Sequence, residues 1–206
     1  MWPLFLISTV LSCGENENKN SKSRNIQIKS KESSSIVPEI SKEESLKLMN
    51  NNLLQFLKTK NYEKFATYIH PEKGVTFSMY AFVNSASDRC FTKKEFLYFI
   101  SSPADFTWGE KNASGELYRE TLQNYLSNWV WKKDFSTASY ELNGTMSRGN
   151  SQDNSKQIYP ECDITVNFLS GTKEFSEMDW QTLGFVFEEF YGKYYLIAVI
   201  NDQWTV

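Results

Sequence analysis

One histidine, three cysteines, five prolines and nine glycines are spread over 206 residues. Two of these scarcities narrow the function. A single histidine, His70, excludes a zinc site built on several imidazoles, and any Ser-His-Asp or Cys-His arrangement would have to use that one residue. Gly144 and Gly149 lack the Lys-Ser/Thr pattern of a phosphate loop. There is no block of basic residues and the net charge is −3, so nucleic acid is not expected as a partner. After the N-terminus no stretch approaches the roughly 18 apolar residues that span a bilayer. The residues indicate no metal and no cofactor.

Aromatic residues are abundant: six Trp, eleven Tyr and fifteen Phe. Such side chains bury large areas and favour strands, so a β-rich core with aromatic filling is expected. The length suits one domain with a substantial core.

Residues 1–13 read MWPLFLISTVLSC. Trp2 to Leu11 is too short to span a membrane and fits the apolar region of an export signal. Val10-Leu11-Ser12-Cys13 resembles the bacterial lipobox, with an apolar residue at −3 and a small one at −1. Two features depart from the pattern: no Lys or Arg precedes the apolar run, and Leu11 is large for position −2. The resemblance implies cleavage before Cys13, acylation of its thiol and new amino terminus, and a place on the bacterial cell envelope, periplasmic or surface-exposed. Two or three acyl chains hold a protein stably on a bilayer where one does not. Residues 14–40 are rich in Asn, Lys, Ser and Glu and contain no aromatic residue. They cannot bury enough surface to offset their ordering entropy, and read as a disordered tether reaching about 30 Å. The acidic start, Gly14 to Asn18, resembles a surface-export signal of some Bacteroidetes lipoproteins.

The folded part is expected to be one domain, residues 41–206. Ser41 to Glu44 is a capping box ahead of Leu46, Met49, Leu53, Leu54 and Leu57, which predicts a helix over about 42–59. Asn61 caps a second helix carrying Phe65, Tyr68 and Ile69, ended by Pro71. Val75 to Ser78 is a short strand. Thr92 to Glu95 is another capping box, starting a short helix. Phe106 to Gly109 reads as a strand end and Thr121 to Trp131 as a third helix. Strands are expected over Tyr140–Ser147, Asp163–Leu169, Leu183–Phe190 and Tyr194–Asn201, the last two joined by a turn at Tyr191-Gly192-Lys193. Helices first and long antiparallel strands last predict an α+β domain, helices on one face of a curved sheet.

Tyr68 to Ser78, Phe106 to Gly109, Met178-Asp179-Trp180, Gly192 to Leu196 and Asp202-Gln203-Trp204-Thr205 occur in this order. They resemble a group of bacterial lipoprotein domains with the NTF2-like, or cystatin-like, α+β fold. The resemblance covers about 45–206. It implies N-terminal helices packed into a curved antiparallel sheet, often around a conical pocket, and carries no activity with it.

Several candidate residues have two readings. His70 could act as a base, or cap and turn the chain ahead of Pro71, protonated at a helix end. Asp179 and Asp202 could be pocket bases of an NTF2-like enzyme, and Asp202 could instead cap or pair with a nearby donor. Trp108 and Trp204 could line the pocket, and Trp204 could instead close the core. Cys90 and Cys162 could form a disulfide in an oxidising compartment, or stay as thiols. Glu72, Lys73 and Arg89 read as a solvated loop. Asn112 and Asn143 begin glycosylation sequons that carry no weight in a bacterial chain. The residues together point to a non-enzymatic envelope domain that binds a small ligand, a glycan or an envelope protein. The alternatives are an NTF2-like small-molecule enzyme and a scaffold whose pocket is filled.

Overall fold

The computed structural model describes residues 40–112, 114–149 and 151–205. The export signal with Cys13 and nearly all of the tether lie outside them. Residues 39–206 cluster as one compact unit.

Helix α1 spans Lys42–Lys58 and begins with the anticipated capping box, in which the Ser41 hydroxyl accepts the Glu44 amide while the Glu44 carboxylate accepts the Ser41 amide. Helix α2, Tyr62–Ala66, is capped by Asn61. It ends four residues before His70, shorter than its periodicity predicts. The cause is capture by the sheet: Leu196 donates its amide to Tyr68 and accepts the His70 amide at 3.0 Å, which unwinds Thr67 to His70. Strands β1 (Val75–Ser78) and β2 (Arg89–Phe91) follow, then helix α3 (Lys93–Phe99), again opened by a capping box, Thr92 with Glu95. Strands β3 (Asp105–Glu110) and β4 (Leu117–Thr121) form a separate hairpin. The third helix starts as α4, Leu122–Tyr125, and widens into a π-helical turn over Leu126–Val130. Strand β5 is Ser139–Leu142; it stops well before Ser147 because Asn143 turns the chain with φ 56°. A one-turn helix α5 (Ser155–Ile158) precedes β6 (Asp163–Leu169), β7 (Gln181–Phe190) and β8 (Lys193–Gln203).

The main sheet has the order β2-β1-β8-β7-β6-β5. All neighbours are antiparallel except β1 and β8, which run parallel. This is the expected α+β arrangement, with a helical N-terminal part against an antiparallel-rich sheet. The β7–β8 turn is tighter than predicted: Phe190 pairs with Lys193, leaving two loop residues, Tyr191 and Gly192, both at positive φ. That is the geometry favoured where two twisted strands meet. A bulge between Val186 and Phe187 adds local twist.

Both faces of the sheet are covered. On one face Phe77, Leu183, Phe185, Phe187, Leu196 and Val199 meet Leu46, Leu53 and Leu57 of α1, Phe65, Phe96, Tyr125 and Trp108. A buried amide pair joins α1 to β6: Asn50 and Asn167 each donate to the other, at 2.9 and 2.8 Å. On the opposite face Ile164, Val166, Val186, Ala198 and Ile200 lie under Ala81, Val83 and Met146. Met146 can approach only because β7 carries Gly184; a Cβ there would stand 2.3 Å from its sulfur. Among the described residues both faces of the sheet are thus packed.

Candidate functional site

The space between helices and sheet, where the resemblance implies a conical pocket, is filled with side chains. Phe65, Phe77, Phe96, Phe185 and Phe187 are fully buried there, and Trp108 stacks on Tyr125 with ring centres 3.7 Å apart. The Trp108 indole donates to the Glu120 carbonyl at 2.9 Å, which fixes the ring. Trp108 is thus a core residue whose outer edge reaches a surface cleft.

That cleft, about 430 Å³, opens where β1 ends, and its wall includes Met79, Tyr80, Phe82, Asn84, Asp88, Trp108, Glu110, Asn112 and Ser151. The volume lies in the range of small-molecule sites. Three segments build it. The first, Met79 to Asp88, leaves β1 and folds on itself: Asp88 donates its amide to the Asn84 carbonyl, and the Asn84 amide donates back to the Asp88 carboxylate at 2.9 Å. The second is the end of β3. The third, around Ser151, is held by side-chain clamps. Asn154 bonds both the amide and the carbonyl of Val83 at 2.7 and 2.9 Å, and Asp153 accepts the Met146 and Ser155 amides. Short polar side chains tie loop to loop here because no ladder is available.

Phe82 is 50% exposed at the cleft. The Tyr80 ring stands edge-on to Trp129, and its hydroxyl accepts the Asn112 amide at 3.0 Å. Burial pushes the Asp88 carboxyl up to about 6, against the pull of the Asn84 amide and Ser78 hydroxyl. The site therefore combines flat apolar rings with several hydrogen-bonding groups and an acid that titrates near neutrality.

Asp202 stands behind this wall. It is 1% exposed, and neither carboxylate oxygen has an aligned hydrogen bond among the described residues. Burial raises it to about 6; the Ser151 and Ser147 hydroxyls and the Ala81 and Gln203 amides lie close enough to offset part of that. Its cross-strand neighbour Thr182 is likewise buried with an unpaired hydroxyl. Asp202 does not line the cleft.

The other predicted residues are placed elsewhere. His70 is buried against Phe190 and Tyr195, and its Nδ1 accepts the backbone amides of Glu72 and Lys73 at 3.1 and 3.0 Å. An accepting Nδ1 requires the Nε2–H tautomer, so this histidine organises a turn as a neutral ring, not as a cation at a helix end. Asp179 closes the Thr172 loop and pairs with Lys133 at 2.6 Å; that cation and the Thr172 amide hold its carboxyl at about 2. Trp204 is 37% exposed and lines a neighbouring recess. Cys90 is an exposed and Cys162 a partly buried free thiol, the latter pushed up to about 11 by burial. Lys73 pairs with Glu188 at 2.6 Å and Arg89 donates to the Thr107 carbonyl, so the Glu72, Lys73 and Arg89 patch resolves into separate contacts.

Asp88 was not legible as a candidate. The available signal, Asn84 and Asp88 four residues apart in a polar run, marks a loop that bonds to itself and nothing more specific. Among the described residues no three His, Cys, Asp or Glu side chains gather to hold a metal, and no helix is long and apolar enough to cross a membrane.

No family model and no curated protein matches this chain. Among solved structures, one is described as a calcium/calmodulin-dependent protein kinase II association domain from Xanthomonas campestris. It is 13% identical, covers 79% of this chain and 88% of its own, and superposes with a TM-score of 0.34. A likeness of that degree bears no functional argument.

Proposed function

We propose that this chain is a non-enzymatic binding domain, anchored to a bacterial cell envelope through acylated Cys13, and that its cleft takes a small polar ligand with a flat apolar face, such as a sugar. The observation that carries the reading is the cleft itself: Phe82 and Tyr80 stand among Asn84, Asp88, Asn112 and Ser151, while the helix–sheet interior has no room. Aromatic faces stack on the C–H faces of sugars, and the polar side chains meet hydroxyls. Supporting the anchor are the Val10 to Cys13 pattern and the 14–40 segment, which would hold the domain off the membrane. The scaffold alternative accommodates the filled interior but gives the cleft no role.

The test is a glycan panel read with the wild-type chain and Phe82→Ala. Loss of one stacking face should weaken the bound glycans about tenfold, from roughly 1–1.5 kcal/mol of aromatic contact. Equal binding by the two proteins would refute the placement. Mass spectrometry of membrane-extracted protein tests the anchor: an uncleaved, unmodified Met1 peptide would end it.

One observation favours a second reading, an acid–base enzyme. A carboxyl near 6 at an open cleft is suited to proton transfer at neutral pH. The base would then be Asp88, since Asp202 lies behind the wall and the His70 Nδ1 is occupied. Asp88→Asn would abolish turnover with affinity kept if this reading held.

A further inference from the structure

The cleft continues past the Tyr80 ring. A second recess of about 350 Å³ shares Tyr80 and Asn112 with it, and adds Trp129, Trp204, Lys111 and Lys132. Trp129 is held in place: its indole donates to the Met79 carbonyl at 3.1 Å, and its ring meets Tyr80 at 5.6 Å and 89°. It sits on the π-helical turn, whose extra residue per turn redirects side chains and recurs at binding sites. Trp204 offers its ring from the end of the chain segment after β8.

The two recesses differ in charge. The first holds Asp88 and Glu110 and no lysine or arginine; the second holds Lys111 and Lys132 and no acid. Lys111 is drawn to Glu116 at 3.0 Å. Lys132 makes no ion pair among the described residues, whereas the adjacent Lys133 is committed to Asp179. An uncommitted cation next to two indole rings suits a ring-shaped unit bearing a negative group. The acidic first recess would repel such a unit and accept a neutral one, so the groove has a direction.

We infer that the two recesses form one groove for an oligosaccharide, with a neutral sugar between Phe82 and Asp88 and an anionic sugar, carboxylated or sulfated, between Trp204 and Lys132. This rests on the sugar-binding reading of the first recess. Ring platforms separated by polar groups match successive sugar faces and hydroxyls, and the sign of each recess sets the order of the units. An exposed lysine reads charge by a modest margin, so the preference over the matched neutral glycan should be about three- to fivefold and should shrink with added salt.

The experiment is binding of the full-length chain, wild type and Lys132→Gln, to a panel of paired neutral, uronic-acid and sulfated oligosaccharides of several linkages. The expected result is a preference for acidic members that disappears in Lys132→Gln, with affinity for neutral members unchanged. If the wild type binds neutral members as well as acidic ones, or keeps its acid preference in Lys132→Gln, the two-recess inference is overturned and the first-recess reading stands. If no glycan binds, both fall together. Trp204→Ala supplies an independent arm: it should weaken disaccharides and longer chains but not monosaccharides, and equal weakening of both would place the second unit elsewhere.

Discussion

Replacing Asp202 by asparagine should stabilise the protein at neutral pH and leave it unchanged in acid. The carboxyl stands at about 6 in the folded chain because of burial, against a reference of 3.8. A folded pKa above the unfolded one means that the native state holds the proton more tightly. That contribution is complete below about pH 4, falls away as pH rises towards 6, and is gone above it. The gap between the two values is worth about 3 kcal/mol, at 1.36 kcal/mol for each tenfold change in proton affinity. An amide in place of the carboxyl keeps the shape and carries no charge, so the Asp202→Asn variant does not incur this loss. Urea denaturation of both proteins from pH 4 to 8 measures it: the curves should coincide near pH 4 and separate by up to about 3 kcal/mol by pH 7. Subtracting the two curves removes the same-signed effect of Asp88 and the opposite effect of Asp134 and Asp179, which are held at about 2 and lose their contributions only in stronger acid. A pH-independent difference, or a variant less stable at pH 7, would refute the argument that Asp202 is a buried acid without a charged partner.

His70→Ala should cost about 1–3 kcal/mol in the same assay, since it strands the Glu72 and Lys73 amides, and should leave glycan binding untouched. A loss of binding with stability kept would restore His70 as a site residue. At pH 7.5 iodoacetamide should label Cys90 well before Cys162, because one thiol is exposed and the other is half-buried and raised to about 11. Labelling only after reduction would instead show the two joined in a disulfide.

The parts of the fold that could be read from sequence are those whose causes are local. Ser41 with Glu44 and Thr92 with Glu95 satisfy their helix ends within four residues, so α1 and α3 begin where expected. The β7–β8 hairpin is set by its own alternation and Gly192. Where the cause is distant, sequence reading stops short. Strands β2 and β4 have three and five residues and owe their existence to partners, and the parallel β1–β8 pair joins segments more than a hundred residues apart. Tyr68 to His70 carry a helical spacing, yet Leu196 takes their backbone groups. The site was legible only in its materials. Of the candidate residues, Trp108 reaches the cleft, Trp204 lines the adjoining recess, and Asp202 lines neither. Asp88, the acid at the cleft, depends on a depth of burial that its own neighbours in sequence do not determine.

The filling of the interior and the position of the cleft are linked. The space between helices and sheet is occupied by rings, among them Phe77, Phe185, Trp108 and Tyr125. Trp108, together with Met79, lies in the floor of the cleft that opens at the end of β1. Two of the three segments of the cleft wall are loops, whose precision does not come from a ladder. It comes from the Asn154–Val83 and Asn84–Asp88 bonds and from Trp129 anchored on Met79. A cleft of this kind keeps an aromatic floor while its polar wall is set by a few replaceable contacts. On the proposed binding function, that division would let the wall select hydroxyls and charges above a fixed apolar floor.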